Sequence, residues 1–160
     1  MFADLSAAIA ENSGEIHKYV GDEIIASWRL AAGLNDAGVV RARAAALVRV
    51  AANADAYRRQ FGLVPDFRAG MHCGEIVGEL RSRKKEIALI GDPMNTAARI
   101  LDACRAPERS ALASSALLDR LKGLPAAVAP SAIAPLALRG KAAARALRSR
   151  ERAPRPARIC

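Results

Sequence analysis

The spacing of apolar residues alternates along the chain between a helical period and a strand period. In the first window, Phe2, Leu5 and Ile9 recur every three or four residues, as they do on one side of a helix. Two short apolar segments follow and meet at Gly21 and Asp22, a pair that suits a tight hairpin because glycine accepts the positive φ that other residues resist. The opening of the chain is therefore predicted to be a helix and a β-hairpin.

The same pattern, with glycine and proline as boundaries, divides the rest of the chain. The order of elements predicts an α+β fold, one mainly antiparallel sheet with helices on one face. The predicted elements are a helix over 1–13, strands over 15–20 and 23–28, a helix over 36–61, two strands over 66–80, a strand over 86–90, helices over 92–104 and 114–123, and a hairpin over 134–147.

Composition narrows the class of protein. The chain has 160 residues, enough for one domain with a real core, and 52% of them are hydrophobic but only 4% aromatic, so small aliphatic side chains must do the packing. No apolar segment is long enough to span a bilayer, and no export signal is visible. The cysteines, Cys73, Cys104 and Cys160, are odd in number and widely spaced, which favours a reducing, cytoplasmic location over a disulfide framework or a zinc site.

The net charge of +9 is unevenly distributed. From Arg139 to Cys160 there are eight basic residues and one acid, so most of the excess lies at the C-terminal end. We therefore predict a domain over 1–147 and a basic, disordered tail over 148–160, with no nucleic-acid partner and no membrane contact.

Two segments carry candidate chemistry. Asp22 is either a simple turn residue or a metal ligand at the hairpin tip. Asp92 and Pro93 favour a helix N-cap followed by a first helical residue. Asn95 and Arg99 are four residues apart and share a face, which suits either an anionic, hydroxyl-bearing ligand or an ordinary solvated surface. The spacing predicts that the buried stripe of this helix is Met94, Ala97, Ala98 and Leu101.

Three stretches, "HKYVGDEIIASW", "FRAGMHCGEIVGEL" and "IALIGDPMNTAARILDAC", occur in this order with a helix-length separation between the first two. As an ordered set they resemble the class III nucleotidyl cyclase catalytic domain, the adenylate and guanylate cyclase family of bacterial type. The resemblance covers residues 2–105 strongly and 106–147 weakly. It implies a ferredoxin-like cyclase sandwich and a phosphorus–oxygen lyase of signal transduction.

The resemblance also implies roles for single residues. Asp22 matches one of two aspartates that bind two Mg²⁺ (or Mn²⁺) ions, and Lys18 matches the lysine that recognises adenine. Asn95 matches the asparagine that orients the ribose, and Arg99 the arginine that stabilises charge at the α-phosphate. Lys141 falls near a triphosphate-binding lysine. The implied reaction converts ATP, with GTP the less favoured substrate, to 3′,5′-cyclic AMP and pyrophosphate at a homodimer interface.

Two positions depart from the family pattern. Asp4, in "FADLS", mimics the first metal-binding motif but lies only 18 positions before Asp22, so it is interpreted as the end of a helix. The first strand is then missing, and an N-terminally truncated domain with little activity of its own is expected. Ala88 stands where the family has an adenine-reading Asp or Thr, which leaves base choice to Lys18 and the backbone.

Other interpretations remain beside the cyclase. One is a truncated, non-catalytic domain that dimerises or binds nucleotide. Another is a diguanylate cyclase, which "VGDEI" echoes but which lacks a counterpart to "GDPMNTAAR". Three further side chains are expected to serve packing: His72, Cys73 and Trp28. His17 is expected to face away from Lys18, because successive strand residues alternate.

Overall fold

The computed structural model describes residues 1–29, 37–75, 77–81, 86–90, 92–104, 110–121, 123–126, 128–131 and 144–149. The helices are α1 (Phe2–Glu11), α2 (Gly38–Ala52), α3 (Ala54–Phe61), α4 (Asp92–Asp102) and α5 (Ser115–Arg120). The strands are β1 (Glu15–Val20), β2 (Glu23–Ser27), β3 (Ala69–Met71), β4 (Val77–Arg81), β5 (Glu86–Ile90), β6 (Ala111–Ser114), β7 (Val128–Pro130) and β8 (Ala144–Ser149).

The chain divides into two compact units, and the first contains α1, β1, β2, α2 and α3. Helix α1 packs against α2 through small side chains, with Ala8, Ala42 and Ala46 buried. Strands β1 and β2 form an antiparallel hairpin, as predicted. Alanine allows the two helices to approach closely, which is how a chain with few aromatic residues builds this layer.

The long helix predicted over 36–61 is in fact two helices that break at Asn53, so that prediction is wrong. Asn53 has φ −92° and ψ 7°, outside the helical region, and its side-chain amide donates to Asp4 Oδ1 at 2.9 Å. Asparagine is a weak helix former that readily bonds to neighbouring groups. The bond to α1 therefore ends α2 and starts α3.

The second unit contains β3, β6 and most of β8, which are neighbours in that order in a four-stranded sheet. β3 is parallel to β6, and β6 is antiparallel to β8. Helix α4 packs on β3. The core behind α4 is a cluster of buried residues: Ile100, Cys104, Leu112, Ala144 and Ala146. Separately, β4 and β5 form an antiparallel hairpin.

The α+β fold is confirmed. The predicted hairpin over 134–147 lies outside the described residues except where β8 begins at Ala144, and residues 150–160 of the predicted tail also lie outside them. Among the described helices, none combines the length and the apolar character that crossing a membrane requires.

Candidate active site

The tip of the β1–β2 hairpin presents an exposed carboxylate. Gly21 has φ +60°, and a Cβ added there would meet no atom within 4 Å, so the glycine serves the turn conformation and not close packing. Asp22 follows in the turn and is exposed, and no described residue forms an ion pair or hydrogen bond with its carboxylate. The tip is thus the predicted turn, and its carboxylate is open to a ligand.

Lys18 lies on the same hairpin, on the face that points away from α1. The opposite face is identified by Tyr19, whose hydroxyl lies 2.9 Å from Ser6 Oγ and whose ring meets Phe2 edge-on at 5.9 Å. Lys18 pairs with Ile25 and is exposed. The hairpin therefore presents the Lys18 ammonium and the Asp22 carboxylate to solvent.

The prediction that His17 faces away from Lys18 is wrong. The β1–β2 register shifts between Ile16 and Lys18, so His17 is an extra residue in the strand. Its Nε2 lies 2.7 Å from Ser27 Oγ. Because Ser27 and Ile25 are two apart on β2, they share a face, and His17 joins Lys18 on it. The irregularity interrupts the alternation on which the sequence prediction relied.

Helix α4 carries Asn95 and Arg99 on its exposed side. Thr96 and Ile100 are 3% and 0% exposed, so the two polar side chains lie next to the buried face without entering it. Their shared face agrees with the predicted spacing. An amide and a guanidinium side by side on a rigid helix can bind hydroxyl and phosphate oxygens together.

The predicted buried stripe of α4 is partly wrong. Ala98 is exposed, and the most buried side chains are Thr96 and Ile100. A Cβ on Gly70 would lie 2.6 Å from the carbonyl oxygen of Ala97, so the backbone of β3 lies directly against α4 there. Thr96 and Ile100 are buried as well, and Ile100 joins the core cluster.

Asp92 occupies the first turn of α4, as the first residue of the helix and not as the residue before it. The sequence prediction of an N-cap is therefore offset by one position. A carboxylate in the first turn still interacts favourably with the positive end of the helix dipole. Its role in the helix is consistent with a structural aspartate.

Asp4 is engaged inside the first unit. It lies in α1, its oxygens accept from Asn53 Nδ2 and from the Tyr57 hydroxyl, and its side chain is 14% exposed. These bonds connect α1 to the α2–α3 junction. The hydrogen bond to Asp4 and, to a smaller extent, burial raise the pKa of Tyr57 to about 12. The interpretation of Asp4 as a helix residue and not a metal ligand fits this geometry.

His72 and Cys73 follow β3 and serve packing and hydrogen bonding. His72 Nδ1 lies 2.8 Å from Ser114 Oγ, a fully buried hydroxyl that also accepts from Leu117 N–H at the start of α5. Burial raises the pKa of the Cys73 thiol, which disfavours the thiolate. The arrangement is structural, as the sequence indicates.

The predicted residues that the structure describes thus lie on two elements, Lys18 and Asp22 on the hairpin and Asn95 and Arg99 on α4. The hairpin belongs to the first unit and α4 to the second. Lys141 lies outside the described residues. In the described ranges no group of three or more His, Cys, Asp and Glu side chains is arranged to hold a metal ion.

One feature that the sequence does not signal is an open groove of about 290 Å³ at the base of the hairpin. Trp28, expected to be core, is half-buried and donates from Nε1 to the Asn12 carbonyl at 2.9 Å. The groove combines an aromatic ring with charges of both signs. Its lining residues are Ser13, Glu15, Ser27, Trp28 and Arg29.

Comparison with known proteins supplies an independent view. No protein-family model matches the chain. Over 123 residues, 76% of its length, the chain is 34% identical to adenylate cyclase 2 of Rhizobium meliloti (strain 1021). The chain spans about a third (34%) of the length of that relative.

Solved structures share the fold at low sequence identity. The guanylyl cyclase Cya2 superposes with a TM-score of 0.70 at 16% identity, covering 91% of this chain and 74% of that one. A bacterial light-regulated adenylyl cyclase superposes with a TM-score of 0.66 at 15% identity, covering 93% of this chain and 42% of the other. At such identities the superpositions establish the fold.

Proposed function

We propose that this chain carries a class III nucleotidyl cyclase domain, and that the domain is an adenylate cyclase that makes 3′,5′-cyclic AMP and pyrophosphate from ATP. The observation that carries the proposal is the exposure of the four motif side chains that the structure describes. Lys18, Asp22, Asn95 and Arg99 all face solvent on regular elements or a defined turn. Their ligand-binding atoms are therefore accessible to a nucleotide.

In the proposed reaction the ribose 3′-hydroxyl oxygen attacks the α-phosphorus. A new bond forms between that oxygen and phosphorus, and the bond from the α-phosphorus to the oxygen bridging to the β-phosphate breaks. Pyrophosphate leaves with the electron pair, and the hydroxyl proton passes to solvent. Negative charge grows at the α-phosphate during attack, which a guanidinium such as that of Arg99 stabilises.

The residues present fit a divalent cation. Asp22 offers an exposed carboxylate at a turn, and magnesium sites in phosphoryl-transfer enzymes combine one or two carboxylates with substrate phosphates. Bound there, Mg²⁺ or Mn²⁺ would supply Lewis-acid stabilisation of phosphoryl oxygens. Asp22 would hold the ion while the turn at Gly21 keeps the carboxylate clear of the protein.

The other side chains would bind and orient the nucleotide. Lys18 would donate to the adenine ring, which makes ATP the proposed substrate over GTP. Asn95 would orient the ribose, and Arg99, one turn further along the same face of α4, would contact the α-phosphate. Lys141 would contact the triphosphate.

The proposed assembly is a homodimer in which each site combines the Asp22 of one subunit with the Lys18, Asn95 and Arg99 of the other. A two-fold axis would then generate two equivalent sites. Because each site takes residues from both chains, two inactive variants can complement each other in a mixed dimer, and this can be tested directly.

The experiment measures cyclic AMP formation from ATP by protein expressed from its complete coding region. Asp22→Ala and Arg99→Ala should each lower turnover by roughly 10²–10³-fold. Mixed in equal amounts, they should form about half heterodimers, each with one intact site, and return about a quarter of the wild-type activity. Arg41→Ala, an exposed arginine on α2, is the matched control and should retain full activity.

Three results would overturn the proposal. Full activity of Arg99→Ala would remove the arginine from the site. Failure of the mixture to recover activity, although subunit exchange is demonstrated, would place Asp22 and Arg99 in the same site of one chain. A wild-type protein that binds nucleotide without making cyclic AMP would favour a non-catalytic domain.

A further inference from the structure

The β1–β2 hairpin is regular except at one residue. Glu15 pairs with Ser27 and Ile16 with Ala26, and after the shift Lys18 pairs with Ile25. His17 therefore has no partner in the ladder and forms a bulge on β1. If His17 were absent, the remaining residues could pair in an unbroken ladder, so the pairing of the hairpin does not itself require this residue.

The bulge places an imidazole beside Lys18. His17 is half-buried, and its Nε2 lies 2.7 Å from the Ser27 hydroxyl on the neighbouring strand. Ser27 and Lys18 lie on the same face, because Ser27 and the Lys18 partner Ile25 are two residues apart. Two consecutive side chains of β1 thus share the face that points away from α1, and one of them is tied to β2.

We propose that His17 is a positioning residue for Lys18, fixed by its hydrogen bond to Ser27. The inference rests on the proposed function, in which Lys18 contacts the adenine ring. Bulges bend and twist a strand locally and re-aim side chains, and they are over-represented next to active sites. Here the bulge sets the direction in which the Lys18 stem leaves the strand.

The effect on binding is entropic and geometric. A lysine has many rotamers, and ordering it on a ligand costs conformational entropy. A fixed imidazole next to the stem removes part of that freedom before the ligand arrives, which favours binding. Recognition of the base depends more strongly on Lys18 because the alanine at position 88 has no side-chain donor or acceptor for the base.

The test is equilibrium binding of a fluorescent ATP analogue, with Mg²⁺, to the complete protein. His17→Ala and Ser27→Ala should each weaken binding on the order of threefold to tenfold, the effect of losing one hydrogen bond. Ser27→Thr keeps the hydroxyl and should retain wild-type affinity. Equal loss in Ser27→Thr and Ser27→Ala would overturn the role of the hydrogen bond.

A double-mutant cycle separates positioning from general stability. If His17 acts through Lys18, then His17→Ala in a Lys18→Ala background should produce no further loss. Additive losses would overturn the inference. Where His17→Ala folds poorly, deletion of His17, which permits a regular ladder, takes its place, and wild-type affinity in that folded deletion variant would also overturn the inference.

The cycle also distinguishes this inference from the proposed function. If Lys18→Ala binds the analogue as tightly as the wild type, the role of Lys18 fails and the positioning role fails with it. If Lys18→Ala binds weakly while His17→Ala and Ser27→Ala bind normally, the proposed function survives and only the role of His17 is rejected.

Discussion

Two aspartates of the first unit carry the same side chain in opposite surroundings. Asp4 lies in α1, where Asn53 and Tyr57 donate to its two oxygens and only 14% of its side chain is exposed. Asp22 lies in the hairpin turn, exposed and without a hydrogen-bond partner among the described residues. The first carboxylate connects helices, and the second is available to a ligand.

The difference teaches how to separate a structural acid from a candidate metal ligand. Both aspartates lie in stretches that resemble cyclase motifs, so residue type alone does not separate them. A carboxylate whose lone pairs already accept hydrogen bonds would have to lose those bonds to bind a cation, and the donors would be left unsatisfied. The state of the oxygens, and not the local sequence, makes Asp22 the candidate ligand and Asp4 a part of the scaffold.

The largest expected difference between the two aspartates is in turnover. Asp22→Asn should lower cyclic AMP formation by roughly 10²–10³-fold, because the amide keeps the shape of the side chain but loses the charge that we propose holds the cation. Asp4→Asn should retain most of the turnover at a temperature where the protein stays folded. Glu23→Gln, the neighbouring exposed acid, is the matched control. Loss of turnover in Asp4→Asn without loss of folding would reverse the two assignments.

The next difference is in stability, where the change at Asp4 is expected to have the larger effect. Asp4→Ala leaves the amide of Asn53 and the hydroxyl of Tyr57 without their acceptor, which should lower the free energy of unfolding by about 1–3 kcal/mol. Asp22→Ala removes no described contact and should change it by less than about 0.5 kcal/mol. Chemical denaturation of both variants provides the comparison, and equal destabilisation would show that the hairpin tip is also structural.

The sequence predicts much of both regions, because local signals decide them. The apolar period fixes α1, and Gly21 fixes the turn that exposes Asp22, since only a residue that tolerates φ +60° suits that position. The shared exposed face of Asn95 and Arg99 likewise follows from spacing of four on a helix. These features depend on residues within a few positions of one another.

The features that the sequence does not predict depend on distant partners. The break at Asn53 depends on Asp4, 49 residues away, and the imidazole of His17 is tied to Ser27 on the next strand. On α4, the backbone lies directly against Gly70 of β3, a contact between elements that spacing along the helix does not reveal. Periodicity describes one element at a time, and so it cannot contain contacts between elements.

A smaller effect is expected from the glycine that shapes the tip. Gly21→Ala should lower the free energy of unfolding by about 1–2 kcal/mol, because alanine is strained in the left-handed conformation although its methyl group meets no atom. Gly62→Ala is the matched control, since Gly62 has φ +74° after α3 and equally open surroundings. The two variants should be similarly destabilised, but only Gly21→Ala should weaken Mn²⁺–nucleotide binding. Equal Mn²⁺–nucleotide binding by the two variants would show that the conformation of the turn does not matter for the proposed site.

The smallest expected effect is a change in stability at high pH, and it tests the Asp4 environment directly. The pKa of Tyr57 is raised from 10.0 to about 12, chiefly by the hydrogen bond to Asp4 and further by burial and by the negative charge of Asp4. Because the folded pKa is the higher one, this contribution to stability is fully present below pH 10.0 and is lost as the pH rises through about 12. The chain has two tyrosines, so Tyr19→Phe leaves tyrosinate absorbance to report on Tyr57 alone. Adding Asp4→Asn should return the midpoint toward that of a free tyrosine, whereas adding Asp22→Asn should leave it in place. A titration midpoint that Asp4→Asn leaves unchanged would contradict the hydrogen bond between Tyr57 and Asp4. It would also contradict the contrast between the two aspartates.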